Sequence, residues 1–473
     1  MSAQRRAKLL IVVLYQNLLD EAPYYAPTPA PPLPGLLLAG MTPDIVDIEV
    51  LHEMVRPIDY GTDAAFVALS FMDYLAPHAF EVAARFRRLG KVVVGGGKYA
   101  STFPDEVQPH FDSILVGEAQ GVWPRMVEDM VAGRLRPRYV ASEGASLAAI
   151  PAPRYDLAEK AFSVPVVTEA SRGCPYACTY CQLNIRRQPF RTRPIADVVR
   201  DLRSAKCLPF HRRQLAMILD NNLGGDLAYA KDLLREIARL DFWGLGVQLS
   251  IDCLEDEELV DLLAQARCCM AFVGLESLSE ASLHAVGKRH NRVDEYERLF
   301  ARLHRRGIVT FVGLMFALDE DTAEDYAILA EKLEQTGACV VLSSIAVPIY
   351  GTPLHRKMAA EGRILDTDLS HYEGDHLVFR HPRLRAEEIQ QAYALFNRRF
   401  YSWPAIGRRL LRFLAAQRRQ EGLVPFVRKL CVASFALLSL SVFERRHARH
   451  RVRGWNAAPA RLNSRRCAAA SAP

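Results

Sequence analysis

The sequence predicts an α/β protein in three parts: a doubly wound, Rossmann-like parallel sheet, a partial (β/α)6 TIM-like barrel, and a helical C-terminal region. Short Val-, Ile- and Leu-rich runs alternate with helix-period segments over residues 1–125, and the same alternation resumes near residue 163. Such alternation implies parallel strands with helices packed on the sheet faces. Beyond residue 360 the strand-like runs cease and cations accumulate. The expected boundaries are 1–135 for the first domain, 136–162 for a linker, 163–360 for the barrel and 361–473 for the helical region with its basic tail.

In the first domain, strands are expected over 9–15, 45–51, 65–71, 92–94 and 113–116, with helices over 33–39 and 78–89. Each strand run is apolar and mostly bounded by turn residues. The proline-rich stretch 23–34 is expected to be a stiff loop. Ligands of such sheets sit at the carboxyl ends of the strands, which places residues 70–74 (from Ser70 to Tyr74), Gly95, Gly96, Gly97, Lys98, Gly117 and Glu118 on one rim. In the second set, strands are expected over 164–169, 215–219, 245–250, 270–274, 309–316 and 340–347. Helices over 227–240, 256–265, 293–305 and 321–336 lie between them. That count falls short of the eight units of a closed barrel.

The charge is divided along the chain. The 473 residues carry 60 Lys and Arg against 54 Asp and Glu, a net +6. Residues 398–473 hold 17 of those cations and two acids, Glu421 and Glu444, so the tail is +15 and the rest is −9. A chain basic throughout, as a general nucleic-acid coat would be, is excluded. The opening apolar run is too short for a secretion signal, and no uncharged apolar stretch reaches the ~20 residues of a bilayer span. The ten cysteines are not spaced as a disulfide framework, which favours a reducing compartment.

Chemistry concentrates in Gly173-Cys174-Pro175-Tyr176-Ala177-Cys178-Thr179-Tyr180-Cys181, a C-x3-C-x2-C run directly after the first barrel strand. Thiolates are the soft ligands of iron–sulfur clusters and zinc. Structural zinc takes four protein ligands, and no fourth cysteine or histidine lies close by. Three thiolates around a four-iron cluster leave one iron for an exogenous ligand.

With that run the sequence resembles the radical SAM enzymes, in which three such cysteines hold a [4Fe-4S] cluster and S-adenosylmethionine (SAM) chelates the fourth iron. One electron then cleaves SAM to a 5′-deoxyadenosyl radical. The resemblance implies Cys174, Cys178 and Cys181 as cluster ligands, with Tyr180 beside them. Leu219-Asp220-Asn221-Asn222 is similar to the family segment that touches the methionyl part of SAM. Ser250 and Asp252 end the third strand; Gly274-Leu275-Glu276-Ser277 resembles the segment whose Glu and Ser face SAM; Pro348-Ile349-Tyr350-Gly351-Thr352-Pro353 resembles a family motif after the sixth strand. The first domain resembles the cobalamin-binding subclass, on Gly95-Gly96-Gly97-Lys98 through Pro104 and on Gly117-Glu118, with Ser70 on the same rim. Glycines there are expected to admit a bulky corrin. In two respects the chain departs from that pattern. Lys98 replaces the histidine of the segment, and the Asp-x-His-x-x-Gly motif that gives cobalt a lower histidine is absent. His52 lies outside any such motif and reads as a core or surface residue.

The resemblance implies an enzyme using a [4Fe-4S] cluster, SAM and cobalamin. Its expected reaction is C-methylation of an unactivated carbon in a secondary or cofactor-type metabolite. A radical cyclase or oxidoreductase without methyl transfer is the alternative, and a degenerate cobalamin-domain scaffold is the second. Methylthiotransferases are set aside because residues 1–173 contain no cysteine. Tyr350 and Asp319 are candidates to meet substrate, and Cys268-Cys269 to hold a radical-quenching thiol. An external flavodoxin- or ferredoxin-type electron donor is implied. The expected location is cytoplasmic, with 422–453 offering peripheral contact at the inner membrane face through an apolar run between cation clusters. Sparse aromatic residues among those cations argue against nucleic acid.

Overall fold

A computed structural model describes residues 6–15, 30–142, 144–417 and 426–445 of the protein. Apolar runs buried on both faces make central parallel strands, and Lys8–Val13 (β1) is buried along all but its first residue. Around it lie α1 (Leu33–Met41), β2 (Asp47–His52), β3 (Phe66–Phe71), α2 (Ala76–Arg88), β4 (Val92–Gly97), β5 (Ser113–Val116), α3 (Trp123–Val131) and β6 (Arg138–Val140). The order β2-β1-β3-β4-β5-β6, parallel throughout, is the expected doubly wound sheet. Its order reverses between β1 and β3, where such sheets bind ligands. Helix α2 buries Ala79, Val82, Ala83 and Phe86, a helical stripe against the sheet.

Strand β6 falls in the stretch expected to be a linker. Only Tyr139 of its three residues is buried, so alternation too short to read marks it. The rest of that stretch is packed as well: Ile150, Tyr155 and Phe162 are buried, and the Tyr155 hydroxyl donates to the Val167 carbonyl at 2.9 Å. One apolar core therefore runs from α1 and α3 through Ile150 and Tyr155 into the second sheet. The expected proline-rich loop lies, over 23–29, outside the described residues.

The second sheet carries β7 (Val166–Thr168), β10 (Leu215–Ile218), β11 (Gly244–Leu249), β12 (Cys268–Glu276), β13 (Val309–Phe316) and β14 (Val340–Ile345) in sequential parallel order, an open six-stranded barrel. A short antiparallel pair, β8 (Ser171–Arg172) and β9 (Arg191–Thr192), follows β7. Between strands run α4 (Ile195–Ser204), α5 (Leu227–Ala238), α6 (Glu257–Gln265), α7 (Tyr296–Arg305) and α8 (Ala323–Thr336). Helix α8 opens on a Thr322–Asp325 capping box and closes on Gly337 at φ +88°, a left-handed position natural to glycine.

The C-terminal region is helical as expected: α9 (Pro353–Ala360), α10 (Ala386–Phe400), α11 (Trp403–Ala416) and α12 (Phe426–Arg445). By length and composition α12 would suit a membrane crossing, which the charge at Arg428-Lys429 had argued against. In the fold it lies along the protein. Ala433, Leu437 and Leu440 pack with Val309, Val340, Cys269 and Met270 at the amino ends of β12–β14.

Candidate functional site

The β8–β9 pair converts the cysteine run into the loop of a hairpin at the carboxyl end of β7. Gly173 turns the chain into it at φ +87°, where a Cβ would stand 2.6 Å from the Pro189 carbonyl oxygen. Only glycine meets both demands. The base of the hairpin is held by Asp220, which is buried and accepts from the Ala170 amide and the Ser171 hydroxyl, both at 2.7 Å. Burial pushes its carboxyl up to about 6. Asp220 therefore positions the loop, and both its oxygens are committed to that task.

The neighbouring candidates converge on the same loop. The side chain of Asn222 donates to Ser250 Oγ at 3.1 Å and accepts from the Ser250 amide at 2.9 Å. Asn221 is exposed, and its carbonyl accepts from Gln248. Glu276, at φ +67°, accepts from the Tyr180 hydroxyl at 3.1 Å and from Lys288 Nζ at 2.6 Å. A non-glycine residue in that region is strained and needs its partners. Ser277 Oγ caps the following turn by accepting from the Ser279 amide. The loop is stitched further by Thr179, whose amide donates to the Val286 carbonyl and whose own carbonyl accepts from the Leu354 amide.

Burial pushes the Cys174 and Cys178 thiols up, and the Lys288 ammonium draws both the other way. Among the described residues no group of three His, Cys, Asp or Glu closes around a single metal ion. A four-iron cluster makes a different demand, because each thiolate binds a separate iron and the ligands stand farther apart. Three thiols on one loop beside a buried ammonium, with no fourth protein ligand among the described residues, fit a cluster rather than an ion.

Across from this loop stands the rim of the first sheet. Ser70 pairs with Gly96 in register at the ends of β3 and β4. The glycines meet the protein itself: a Cβ on Gly95 would press on the Phe111 ring, one on Gly97 on the Phe71 carbonyl, and one on Gly117 on Ala141. Gly96 alone of the triplet has room above it, with nothing nearer than 3.8 Å. Glu118 binds Arg191 and lies 3.5 Å from Arg172, so it ties the rim to the hairpin. The two guanidinium groups outweigh burial and hold its carboxyl below the usual range.

A cavity of about 250 Å³ lies between the two rims. Met72, Asp73 and Tyr74 come from the switch point of the first sheet; Tyr180, Gln182, Met315, Ser344 and Tyr350 come from the barrel. Leu369, Tyr372 and Glu373 close it from the C-terminal region. Its lining is apolar and aromatic with two carboxylates and no histidine, lysine or arginine. Asp73 is buried, accepts from Gln182 Nε2 at 2.6 Å, and is pushed by burial up to about 6. Gln182, Lys288 and the pairing of rim residue Asp73 with Gln182 escaped sequence reading because their partners lie far away in the chain. A polar pair directly after Cys181 and after β3 was the available signal.

Tyr350 does line the cavity, against Phe103. Asp319 does not: Arg363 and Lys357 engage its carboxylate and hold it down to about 2. Cys268 and Cys269 start β12, buried at the opposite end of the barrel, so the quenching-thiol expectation fails on position. His52 is a core residue, edge-on to Phe162 at 5.0 Å, and burial drives it down to about 4.

Residues 168–333 match the radical SAM superfamily model. The barrel of this chain is therefore a radical SAM domain. The chain is 28% identical to the bacteriochlorophyllide d C-8(2)-methyltransferase of Chlorobaculum tepidum over 87% of its own length and 93% of the relative's. It is 26% identical to the hopanoid C-2 methylase of Rhodopseudomonas palustris, over 72% and 66% of the two chains. In fold it is similar to the radical SAM methyltransferase TsrM of Kitasatospora setae, solved with cobalamin and a [4Fe-4S] cluster (TM-score 0.57, 18% identity, 92% and 89% covered).

Proposed function

We propose that this radical SAM protein is a cobalamin-dependent C-methyltransferase acting on an unactivated carbon of an apolar or cofactor-type metabolite. The observation that carries the reading is the placement of the three-cysteine hairpin against the switch-point rim of a doubly wound sheet, with an apolar cavity between. Relatives that methylate bacteriochlorophyllide and hopanoid carbons support it.

Cys174, Cys178 and Cys181 hold the cluster in this reading. Tyr180, Asn221, Asn222, Ser250, Glu276 and Ser277 surround SAM, and Asp220 keeps the hairpin in place. Ser70, Gly95, Gly96, Gly97, Gly117 and Glu118 form the corrin-facing rim of a first domain ending near residue 135, to which β6 adds an edge strand. Once bound, the cluster and SAM supply the 5′-deoxyadenosyl radical, and the corrin supplies the methyl group. The chain's own residues orient the substrate and exclude water. Apolar Met72, Met315, Ile345 and Val347 keep the cavity dry, while Asp73 and Glu373 offer acceptors to a donor group on the substrate. With no cation in the lining, an anionic group of the substrate has to stay outside it. An external flavodoxin- or ferredoxin-type protein supplies electrons, and the enzyme works in the cytoplasm with peripheral membrane contact through 422–453.

The test is anaerobic reconstitution with iron, sulfide and cobalamin, followed by label transfer from methyl-labelled SAM to candidate chlorin and polycyclic lipid acceptors. About four irons per chain are expected, and a Cys174→Ala, Cys178→Ala, Cys181→Ala chain should bind none. Equal iron in that variant overturns the cluster assignment. Deoxyadenosine formation with a changed acceptor that gains no label would replace methylation by cyclisation or oxidation.

A further inference from the structure

Helix α12 presents two unlike faces. Ala433, Leu437, Leu440, Ser441 and Glu444, at helical spacing, are buried against the barrel. On the outer side Val427, Cys431, Phe435 and Leu438 form a second stripe; Phe435 is 64% and Leu438 38% exposed. The neighbouring α11 adds Leu411 at 67% and Trp403 at 58%. The two helices are joined where Arg445 donates to the Tyr401 carbonyl and lies 4.9 Å over the Trp403 ring. Large apolar side chains grouped on adjacent helices are uncommon on a surface that meets only water.

Charge decides which partner suits this surface. Residues 398–473 carry 17 cations against two acids, and one of those acids, Glu444, is buried. Arg408 and Arg412 stand on α11 and reach Glu334, which is itself mostly buried. An apolar stripe on a chain segment of this net charge matches an anionic bilayer surface, where inserted side chains and cations act together.

We infer that the outer face of α11 and α12, centred on Leu411, Phe435 and Leu438, docks on an anionic membrane surface. This deepens the peripheral contact proposed for 422–453 by naming its face and fixing its orientation. The inner face of α12 covers the amino ends of β12–β14, whereas the cysteine hairpin and cavity sit at the carboxyl ends. A strand such as β12 separates those ends by about 25 Å. The cavity therefore opens away from the bilayer that the tail binds, and a lipophilic substrate reaches it around the body of the protein.

The experiment is flotation of the full-length reconstituted protein with vesicles of phosphatidylcholine alone or with one third phosphatidylglycerol. The wild type is expected to float with the anionic vesicles and to release as salt screens the attraction. Phe435→Glu/Leu438→Glu and, separately, Leu411→Glu are expected to lower partitioning about tenfold or more, with iron per chain and melting temperature unchanged. Wild-type flotation that these variants leave intact overturns the face while sparing the broader contact. A wild type that stays with the soluble fraction overturns both. A dimer by light scattering that Phe435→Glu/Leu438→Glu makes monomeric would assign the face to a second copy of the chain instead.

Discussion

Lys288 Nζ donates to Glu276 Oε1 at 2.6 Å, with both side chains nearly out of reach of water. Twelve residues separate them, and the pair joins the end of β12 to the loop that lies over the cysteine hairpin. Losing one member of such a pair leaves a desolvated charge, which costs about 3–5 kcal/mol. Lys288→Met should therefore lower unfolding free energy in urea by that amount. Adding Glu276→Gln should restore at least ~1 kcal/mol of it, the sign of coupling between neighbours. Additive losses would show that the two side chains do not sense each other.

Asp220 supports a different prediction, about loading rather than global stability. Its two oxygens take one amide and one hydroxyl at the base of the hairpin. Asp220→Ala leaves both donors buried without an acceptor, a loss of about 2–3 kcal/mol concentrated at that base. Iron bound after anaerobic reconstitution should fall below about half of the wild-type value. Asp220→Asn should recover most of it, because its carbonyl can serve Ala170 while its amide donates to the Ser171 hydroxyl. Equal iron in all three proteins would remove Asp220 from the positioning role.

These two relationships mark what a sequence can and cannot disclose. The strands of both sheets were legible because central parallel strands are buried on both faces, leaving continuous Val, Ile and Leu runs such as β1 and β13. β6 was not, because a three-residue edge strand with one buried side chain has no period to detect. The cysteine loop was legible because its spacing is local. Asp73 with Gln182 and Glu118 with Arg191 were not, because folding alone brings together residues 109 and 73 positions apart. The glycines of 95–97 were read as space for a ligand, whereas Phe111 and Phe71 already claim the space at two of them.

Those long-range pairs also tie the first domain to the barrel. Glu118→Gln keeps hydrogen-bonding capacity but removes the charge that faces Arg191 and Arg172. Asp73→Ala removes the acceptor of Gln182. The double variant should be cut severalfold faster by trypsin across residues 136–162, with secondary structure by circular dichroism unchanged. Unaltered cleavage would mean that the continuous apolar core alone sets the rigidity of the junction.

Asp319 allows a stability prediction with a defined pH dependence. Although burial opposes ionisation, Arg363 and Lys357 prevail and hold its carboxyl down to about 2, against 3.8 for the free group. A depressed carboxyl stabilises the fold above its unfolded value and ceases to do so as pH falls through the folded one. Discounted for partial exposure to solvent, its contribution at neutral pH is about 1–2 kcal/mol. Asp319→Asn should show that deficit in urea unfolding at pH 7 and approach the wild type as pH drops from about 5 towards 2. A gap that stays constant over this window would assign the loss to packing.

The cavity lining yields a prediction about the corrin that needs no turnover. Among the described residues no histidine lines the cavity, and the first histidine in the sequence, His52, is locked in the core beside Phe162. Lys98 holds the rim position where the resembling segment carries histidine, and residues 16–29, after β1, contain none either. The cavity lining and the rim segment thus offer cobalt no imidazole. The paramagnetic reduced corrin reports its axial nitrogen through hyperfine splitting, so protein labelled uniformly with nitrogen-15 should give the same resonance as unlabelled protein when both carry unlabelled cobalamin. A splitting that changes with the protein's isotope would place a nitrogen of this chain on cobalt, and Lys98→Met would then be the variant that identifies it or hands the role to another side chain.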